Sequence, residues 1–392
     1  MQELTTFVGL DVHKLEHSVA VYGPNQSQPV VWTVKNHPLE IAKMVQRVRK
    51  IGSPSMVFAY EAGVCGFALQ RLIQSHGAVC QVIAPGLTPV RPGDRVATDR
   101  RDAVKLGHLL RAGLLTPIHP PTPQEEAVRD LCRCREAAML DLRRLRQQVN
   151  TFLMRRGHIF REARNWTAKH HCWLAQLRLP LPQEQRVYES YLLELEHRQQ
   201  RLADLDRELE ELAVQEPYAQ PVGYLRCLRG VDTLTALCLV AELYAIERFA
   251  RARGLMAYLG LIPSESSSGP NRRMGPITKA GNSRVRRLLM EAAHCQSRPV
   301  RPSKLLRARR QGQPAWVVQI AQRAQKRLHD RYWRLVNRGK GPNKAAAAVA
   351  RELAGFIWSI LRGGAGSKAL AGAVQAAPRR RCAATPGCQG GV

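Results

Sequence analysis

The order of short apolar segments in the first 115 residues constrains the fold more than any other feature of the chain. Apolar and polar side chains alternate in the segments that we predict to be strands, and helical spacing separates them. The patterns predict strands at 5–11, 17–23, 30–35, 56–61 and 78–84, and helices at 38–50, 66–76 and 99–115. This order predicts a mixed β-sheet covered by helices.

Four acidic residues lie at the ends of these predicted elements. Asp11 ends the first strand and Glu61 the fourth, and parallel neighbouring strands would bring these ends together. Asp99 and Asp102 are three residues apart on the first turn of a helix whose N-cap is Thr98, so they face the same side. The β-β-β-α-β-α-β order with such acids is that of a ribonuclease-H-like fold.

Four carboxylates at one edge repel each other unless a cation lies among them, and hard divalent ions prefer oxygen ligands. We therefore predict that Asp11, Glu61, Asp99 and Asp102 bind metal, with two Mg²⁺ ions acting in phosphodiester chemistry. Each acid alone has an ordinary alternative as a helix-dipole, turn or solvated residue. His13 is predicted to be a surface or second-layer residue rather than a ligand.

The charge of the chain indicates a polyanionic partner. Sixty Lys and Arg against 31 Asp and Glu give a formal net charge of +29, and nucleic acid is the commonest partner of such a protein. A merely basic protein is the alternative. The 45% hydrophobic content excludes a wholly disordered chain. Ten cysteines lack zinc-ligand spacing, and neither a signal peptide nor a membrane-spanning run is visible, so we expect a cytoplasmic protein without disulfides.

The remainder of the chain is predicted to be helical. Apolar residues keep heptad spacing over 123–156 and 183–214, which predicts a coiled-coil arm, either a hairpin or a helical dimer arm, with an ordinary bundle inside one chain as the alternative. Residues 225–236 resemble a helix-hairpin-helix element around Gly230, although a purely structural turn fits equally. We expect domains at 1–120, 121–220 and 221–362, and a disordered basic tail at 363–392.

A serine- and glycine-rich segment at 260–282 stands out among these helices. Such a segment is normally a flexible loop, but this one is surrounded by cations. They would attract a scissile phosphate toward the serine hydroxyls and stabilise the charge that develops on it. The cations of the segment are Arg272, Arg273, Lys279, Arg284, Arg286 and Arg287.

Five motifs in order resemble those of the DEDD insertion-sequence transposases related to the Piv DNA invertase. The motifs are GLDVHK at 9–14, YEA at 60–62, TDRRDA at 98–103, the segment from LIP at 261–263 to SG at 268–269, and ITKAGN at 277–282. The resemblance covers about residues 5–360. It implies a RuvC-like N-terminal domain, a coiled-coil arm and a C-terminal transposase domain that carries a nucleophilic serine.

The resemblance also implies roles and partners. It assigns Asp11, Glu61, Asp99 and Asp102 to the metal site, and Ser268, which precedes Gly269, to the nucleophile, with Ser266 and Ser267 as neighbouring alternatives. Arg272, Arg273, Lys279, Arg284 and Arg287 are our candidates for nucleic-acid contacts. The implied partners are double-stranded donor and target DNA, a structured guide RNA (the bridge RNA), and further copies of the chain in a dimer or tetramer. When active, the protein would be nucleoid-associated in a prokaryotic cell.

We therefore expect a site-specific DNA recombinase of an insertion sequence. Its serine would form a covalent link to DNA that preserves the bond energy for rejoining. One alternative is a RuvC-like nuclease that resolves branched DNA, such as Holliday junctions, by water attack, which would share the four acids but leave residues 260–282 unexplained. Another is a nucleic-acid-binding protein without catalytic activity.

Overall fold

The structure, a computed structural model, describes residues 5–89, 98–268 and 271–363, apart from the side chains of Ser268 and Arg272. The predicted basic tail therefore lies outside the described residues, with the exception of Gly363. The chain divides into two compact units, one up to Pro121 and one from Thr122 onward.

Among its described residues, the first unit contains one five-stranded sheet and three α-helices. Their bounds are β1 (Thr6–Val12), β2 (Glu16–Tyr22), β3 (Val30–Lys35), α1 (Pro38–Ile51), β4 (Met56–Glu61), α2 (Ala68–Ser75), β5 (Val79–Ile83) and α3 (Asp99–Arg111). The strand order is β3-β2-β1-β4-β5. Strand β1 is antiparallel to β2 and parallel to β4, with Leu10 opposite Tyr60. The mixed sheet predicted from the sequence is confirmed.

The two faces of this sheet are covered by different helices. Val8 and Leu10 of β1 face one layer, where Ile41 of α1 and Ile73 of α2 are buried. The intervening residues of the central strands face α3, whose Leu110 is buried among them. Because side chains alternate along a strand, Asp11 shares the α3 face with Phe7, and Glu61 shares it with Ala59. Both acids thus lie at the carboxyl edge of the face that α3 covers.

Helix α3 lies unusually close to β1 because both elements carry a glycine at the contact. A Cβ atom on Gly9 would overlap the carbonyl oxygen of Ala103 and the amide nitrogen of Gly107. A Cβ on Gly107 would lie 2.9 Å from the Tyr22 ring. Tyr22 in turn donates a hydrogen bond to the Val104 carbonyl at 3.2 Å. The backbones of β1 and α3 are therefore in direct contact.

We predict that Gly9→Ala loosens α3 from the sheet and destabilises the first unit by about 3 kcal/mol, the upper end of ordinary overpacking effects. Faster hydrogen exchange of the β1 and α3 amides, followed by mass spectrometry, would show the loss. Gly86→Ala is the matched control, because a Cβ at Gly86 meets no atom within 4 Å. Equal exchange in the two variants would contradict the close-packing explanation.

The second unit is mainly helical. Its elements are α4 (Pro123–Met154), α5 (Ala168–Gln176), α6 (Pro182–Leu212), α7 (Ala219–Leu225), α8 (Thr233–Leu243), α9 (Ala252–Tyr258), β6 (Pro263–Ser268), β7 (Asn271–Ile277), α10 (Ser283–His294), α11 (Lys304–Arg310), α12 (Ala315–Val336) and α13 (Pro342–Leu361). Helix α13 is buried along most of its length and packs against α9, α10 and α12. Its apolar sequence, from Ala345 to Ile360, makes it the centre of the core of this unit.

The two long helices α4 and α6 pack against each other within one chain. Leu142, Leu145 and Val149 of α4 are buried with Tyr188 and Leu195 of α6. Arg135 near the start of α4 pairs with Asp206 near the end of α6, and Arg156 pairs with Glu184, so the helices are antiparallel. This packing within the chain buries heptad-spaced residues, and the coiled-coil arm, as a hairpin or as a dimer arm, stays a prediction.

The turn around Gly230 has a structural cause. It connects α7 to α8, whose N-cap Asp232 accepts a hydrogen bond from the Thr235 amide. Gly230 has φ of +81°, and a Cβ there would lie 2.8 Å from the Cα atom of Ala292 in α10. Close packing against α10 therefore requires this glycine, which favours the structural alternative over a phosphate-gripping turn.

A buried carboxylate connects three elements of the second unit. Glu242 of α8 is 3% exposed and accepts hydrogen bonds from Arg133 of α4 at 2.8 and 3.1 Å. It also accepts one from Asn282, the N-cap of α10, at 2.7 Å. Burial raises the pKa of Glu242, but the hydrogen bonds from Arg133 and Asn282 outweigh burial and hold this pKa below its ordinary value.

We predict that Glu242→Gln destabilises the protein at neutral pH by about 3 kcal/mol, the low end for breaking a buried ion pair, because Arg133 is one-third exposed. The folded-state pKa of Glu242 is depressed, so its contribution is present at neutral pH and is lost as pH falls through that pKa. The gap between the melting temperatures of wild type and variant should therefore shrink on acidification. Because the folded-state pKa lies below the ordinary value of 4.5, a gap that stayed constant as the pH fell from 7 to about 3 would contradict this.

Two further findings concern the described residues as a whole. No helix among them is long and apolar enough to cross a membrane. The eight cysteines that fall in the described ranges are all free thiols, and Cys382 and Cys388 lie outside those ranges.

Candidate functional site

Three side chains meet at the carboxyl edge of β1. The Nε2 atom of His13 lies 3.1 Å from an Asp11 carboxylate oxygen and 3.5 Å from an Asp99 carboxylate oxygen. One ligand atom each from Asp11, His13 and Asp99 lie within 4.8 Å of one another. Asp11 comes from the end of β1, and Asp99 begins α3 after its N-cap Thr98, whose side chain accepts from the Arg101 amide.

The charges of this cluster influence one another. Partial burial raises the pKa of Asp11, and the nearby negative charges of Asp99 and Asp102 raise it further, while the hydrogen bond from His13 acts in the opposite direction. The net effect is an Asp11 pKa above its ordinary value. The same hydrogen bond raises the pKa of His13. The site therefore concentrates negative charge that a cation would stabilise.

The remaining two predicted ligands are placed by the backbone. Asp102 lies one helical turn after Asp99 and is close enough to Asp11 to raise its pKa. Glu61 is an exposed residue at the end of β4, one position beyond the last pair that β1 forms with β4. The parallel register brings Glu61 to the same sheet edge as Asp11. Asp11, Asp99 and Asp102 are thus brought together, and Glu61 lies on the neighbouring strand.

The donor set fits a divalent metal ion. Carboxylate oxygens are the ligands that Mg²⁺ and Mn²⁺ prefer, and an imidazole nitrogen is a good ligand for Mn²⁺ and softer ions. Asp11 and Asp99 would supply oxygens and His13 a nitrogen from one cluster of ligand atoms, and the charge of Asp102 acts on Asp11.

The segment from 260 to 282 is a β-hairpin and not the loop that the sequence predicts. Strands β6 and β7 pair antiparallel, with Ser266 opposite Arg273 and Ser268 opposite Asn271. At the base of the hairpin, the Thr278 amide donates to the Ile262 carbonyl at 2.9 Å and the Lys279 amide to the Gly260 carbonyl at 3.0 Å. Backbone pairing can form this hairpin without the apolar alternation that identifies most strands.

The serines of the hairpin differ in their surroundings. The Ser264 hydroxyl donates to the Pro276 carbonyl at 3.1 Å, and the Ser267 hydroxyl donates to Glu265 at 2.8 Å. Ser266 is exposed on β6, and Ser268 ends this strand next to the tip of the hairpin. Two of the hydroxyls are therefore engaged in hydrogen bonds within the hairpin.

The five predicted nucleic-acid-binding residues fall into two groups. Arg272, Arg273 and Lys279 belong to the hairpin and its base, where Arg273 and Lys279 are exposed. Arg284 and Arg287 lie on α10 and both pair with Glu136 of α4, at 2.8 and 3.0 Å. Glu136 thus neutralises part of the charge of α10. Arg286, which surrounds the same segment, donates to the carbonyls of Leu259 and Ala280 and so fixes the backbone.

Comparison with known proteins agrees with both parts of the chain. The profile of a DEDD transposase family of the IS110 type matches residues 8–156, and that of the transposase IS116/IS110/IS902 family matches residues 223–307. A putative transposase, y4qE, of Sinorhizobium fredii (strain NBRC 101917 / NGR234) is 40% identical over 358 residues, which cover 91% of this chain and 88% of the relative. The chain belongs to the IS110/IS116 family of insertion-sequence transposases.

Two further insertion-sequence transposases are similar to this chain. The transposase for insertion sequence element IS1533 of Leptospira borgpetersenii is 34% identical over 83% of this chain and 95% of its own length. The transposase for IS1111A of Coxiella burnetii (strain RSA 493 / Nine Mile phase I) is 25% identical over 81% of this chain and 82% of its own length. The matched range of the DEDD profile contains the four acids, and that of the second profile contains the serine hairpin.

His13 is the residue of this IS110-family protein that sequence reasoning placed outside the ligand set. The structure puts its imidazole between Asp11 and Asp99. Its side chain is 52% exposed and makes a hydrogen bond to the Asp11 carboxylate, an arrangement that a surface or second-layer residue also adopts. Whether His13 binds metal directly or orients Asp11 stays a prediction.

We predict that Asp11→Asn weakens Mn²⁺ binding on the order of 100-fold, because a central anionic ligand is lost. The variant also removes the repulsion of Asp11 with Asp99 and Asp102 that a bound cation would compensate. Titration calorimetry of the full chain would measure it. Glu40→Gln is the control: Glu40 is an acid of α1 paired with Lys43, away from the sheet edge. Unchanged Mn²⁺ affinity in Asp11→Asn would refute the metal site.

Proposed function

We propose that this IS110-family transposase cuts and rejoins double-stranded DNA through attack by Ser268, with the acids Asp11, Glu61, Asp99 and Asp102 holding divalent metal ions. The acid cluster at the β1–α3 contact is the observation that carries the metal part of this proposal. The serine part rests on the family motif at 261–269 and on the exposed cations of the hairpin. The two sets of residues belong to different units of the chain.

The proposed reaction conserves bonds. The Ser268 hydroxyl oxygen forms a bond to a DNA phosphorus, and the ester bond from that phosphorus to one deoxyribose oxygen breaks. The proton lost by the serine is balanced by the proton that the released sugar hydroxyl gains. Attack by a second sugar hydroxyl reverses these steps, releases the serine and rejoins the strand, so no external energy source is required.

The chain's own residues would assist this exchange in two ways. Arg273 and Lys279, exposed at the hairpin, attract the scissile phosphate and compensate the charge that develops on its oxygens. Asp11, Asp99 and Asp102 hold the metal, with Glu61 at the same sheet edge. Bound there, divalent ions supply Lewis-acid stabilisation of attacking and leaving oxygens. We propose Mg²⁺, two ions, as the physiological metal.

We propose that a structured RNA pairs with donor and target DNA and that the chain acts as a dimer or tetramer. We further propose that it is a site-specific serine recombinase that shares this chemistry with Piv-type invertases. The net charge of +29 supports simultaneous binding of two polyanions. Base pairing would then read sequence, while the protein binds backbone and shape. A branched-DNA nuclease is not favoured, because the relatives carry transposase names.

Replacement of single serines tests the nucleophile. We predict that Ser268→Ala abolishes recombination of a donor plasmid and the covalent protein–DNA adduct, a loss of at least about 10³-fold, because no other hydroxyl can replace an attacking one. Ser266→Ala and Ser267→Ala, at neighbouring positions of β6, should keep both. Adduct mapping by mass spectrometry identifies the modified residue. Full activity of Ser268→Ala, or an adduct on Ser266, would contradict the assignment.

A further inference from the structure

Helix α12 carries a strongly basic face that contains none of the predicted site residues. A groove of about 650 Å³ lies along this helix, and charged or polar side chains line it. Five of them are cations and two are acids, Asp330 and Glu352, so the local charge is +3. The cations are Arg323, Lys326, Arg327, Arg331 and Arg334.

The basic face is not needed to fold the helix. The buried side of α12 is apolar, with Val317, Ala321, Ala324 and Leu328 packed into the core that contains α13. The cations lie on the opposite side, where Arg323 and Arg327 are like charges four residues apart and destabilise the helix slightly. The cations without an ion pair add nothing to the packing of the core, and their charge is available to a ligand of opposite sign.

The cations differ in how they are compensated. Arg327 and Arg331 pair with Glu352 of α13 at 2.8 and 3.4 Å, which fixes their direction. Arg323, Lys326 and Arg334 are exposed and have no ion pair with any of the residues that the structure describes. These three charges remain available to a polyanion.

We propose that this α12 groove binds the phosphodiester backbone of duplex DNA, as a contact separate from the serine hairpin. Arg323 and Arg334 are eleven residues apart on one helix, a span of roughly 16 Å at about 1.5 Å per residue. That span corresponds to about five base-pair steps of about 3.4 Å. The inference rests on the proposed function only in taking duplex DNA as the substrate.

The lining of the groove favours the backbone of a duplex over the stacked bases of a single strand. None of the lining residues is aromatic, whereas single-stranded binding uses aromatic platforms for base stacking. Gln322 is the one amide side chain in the lining, so cations dominate its chemistry. Lys and Arg side chains bind phosphate oxygens in any sequence, and we expect the groove to bind the duplex backbone.

The salt dependence of DNA binding tests this surface. The variant is the full chain with Arg323→Gln, Lys326→Gln and Arg334→Gln, and the probe is a 30-base-pair duplex of arbitrary sequence, with EDTA present to prevent cleavage. Each lost phosphate contact lowers the slope of log affinity against log salt by about 0.9. We expect a slope lower by about 2 to 3, so that between 50 and 200 mM salt the wild-type affinity falls about 40-fold further than that of the variant.

A matched variant controls for total charge. Arg161→Gln, Lys169→Gln and Arg186→Gln remove the same three charges from exposed positions outside α12, and should leave the slope unchanged. Circular dichroism melting verifies that both variants fold, and Arg323→Gln alone should still lower the slope by about 0.9. A wild-type slope in the α12 variant, an equal loss in the control, or a loss seen with duplex RNA but not DNA would each overturn the proposal.

This experiment is independent of the catalytic assignment. Ser268→Ala protein should bind duplex DNA with the wild-type salt slope, because binding needs no nucleophile. Recombination by Ser268→Ala would refute the serine while leaving the groove intact. An unchanged slope in the α12 variant would refute the groove while leaving the serine intact.

Discussion

The backbone contact between β1 and α3 is the constraint on which the acid cluster depends. Gly9 and Gly107 lack the side chains that would hold the two elements apart, so the first turn of α3 reaches the carboxyl edge of β1. Asp99 and Asp102 occupy that turn, and Asp11 occupies that edge. Four negative charges at one edge oppose folding unless a cation compensates them. A packing detail of the sheet therefore positions the acids of the proposed metal site.

In the second unit, several arginines form ion pairs that connect helices, while others are exposed. Glu242 and Glu136 engage Arg133, Arg284 and Arg287, so part of the basic surplus links α4 to α8 and α10. The hairpin and α12 keep exposed cations without such partners among the described residues. Net charge alone does not reveal this division, since a paired arginine and a free one contribute equally to it.

Much of the first unit follows from the sequence, and less of the second. Strand alternation and the Thr98 N-cap are local signals, and they place Asp11, Glu61 and the Asp99–Asp102 pair correctly on the elements that the structure shows. The hairpin at 263–277 escaped prediction because its serines and arginines lack an apolar face. The pairing of α10 arginines with Glu136 joins residues about 150 positions apart, beyond any local pattern. Heptad spacing does not distinguish a helix that packs on a partner in the same chain from one that packs on another chain.

Anomalous diffraction from crystals grown with Mn²⁺ tests the central claim most directly, namely that the β1–α3 contact creates a metal centre. The account predicts an anomalous peak bonded to carboxylate oxygens of Asp11 and Asp99, at metal–oxygen distances of about 2.2 Å, with Asp102 or Glu61 in the same coordination sphere. Fully ordered acids without a peak between them, or a peak only at other sites, would contradict it.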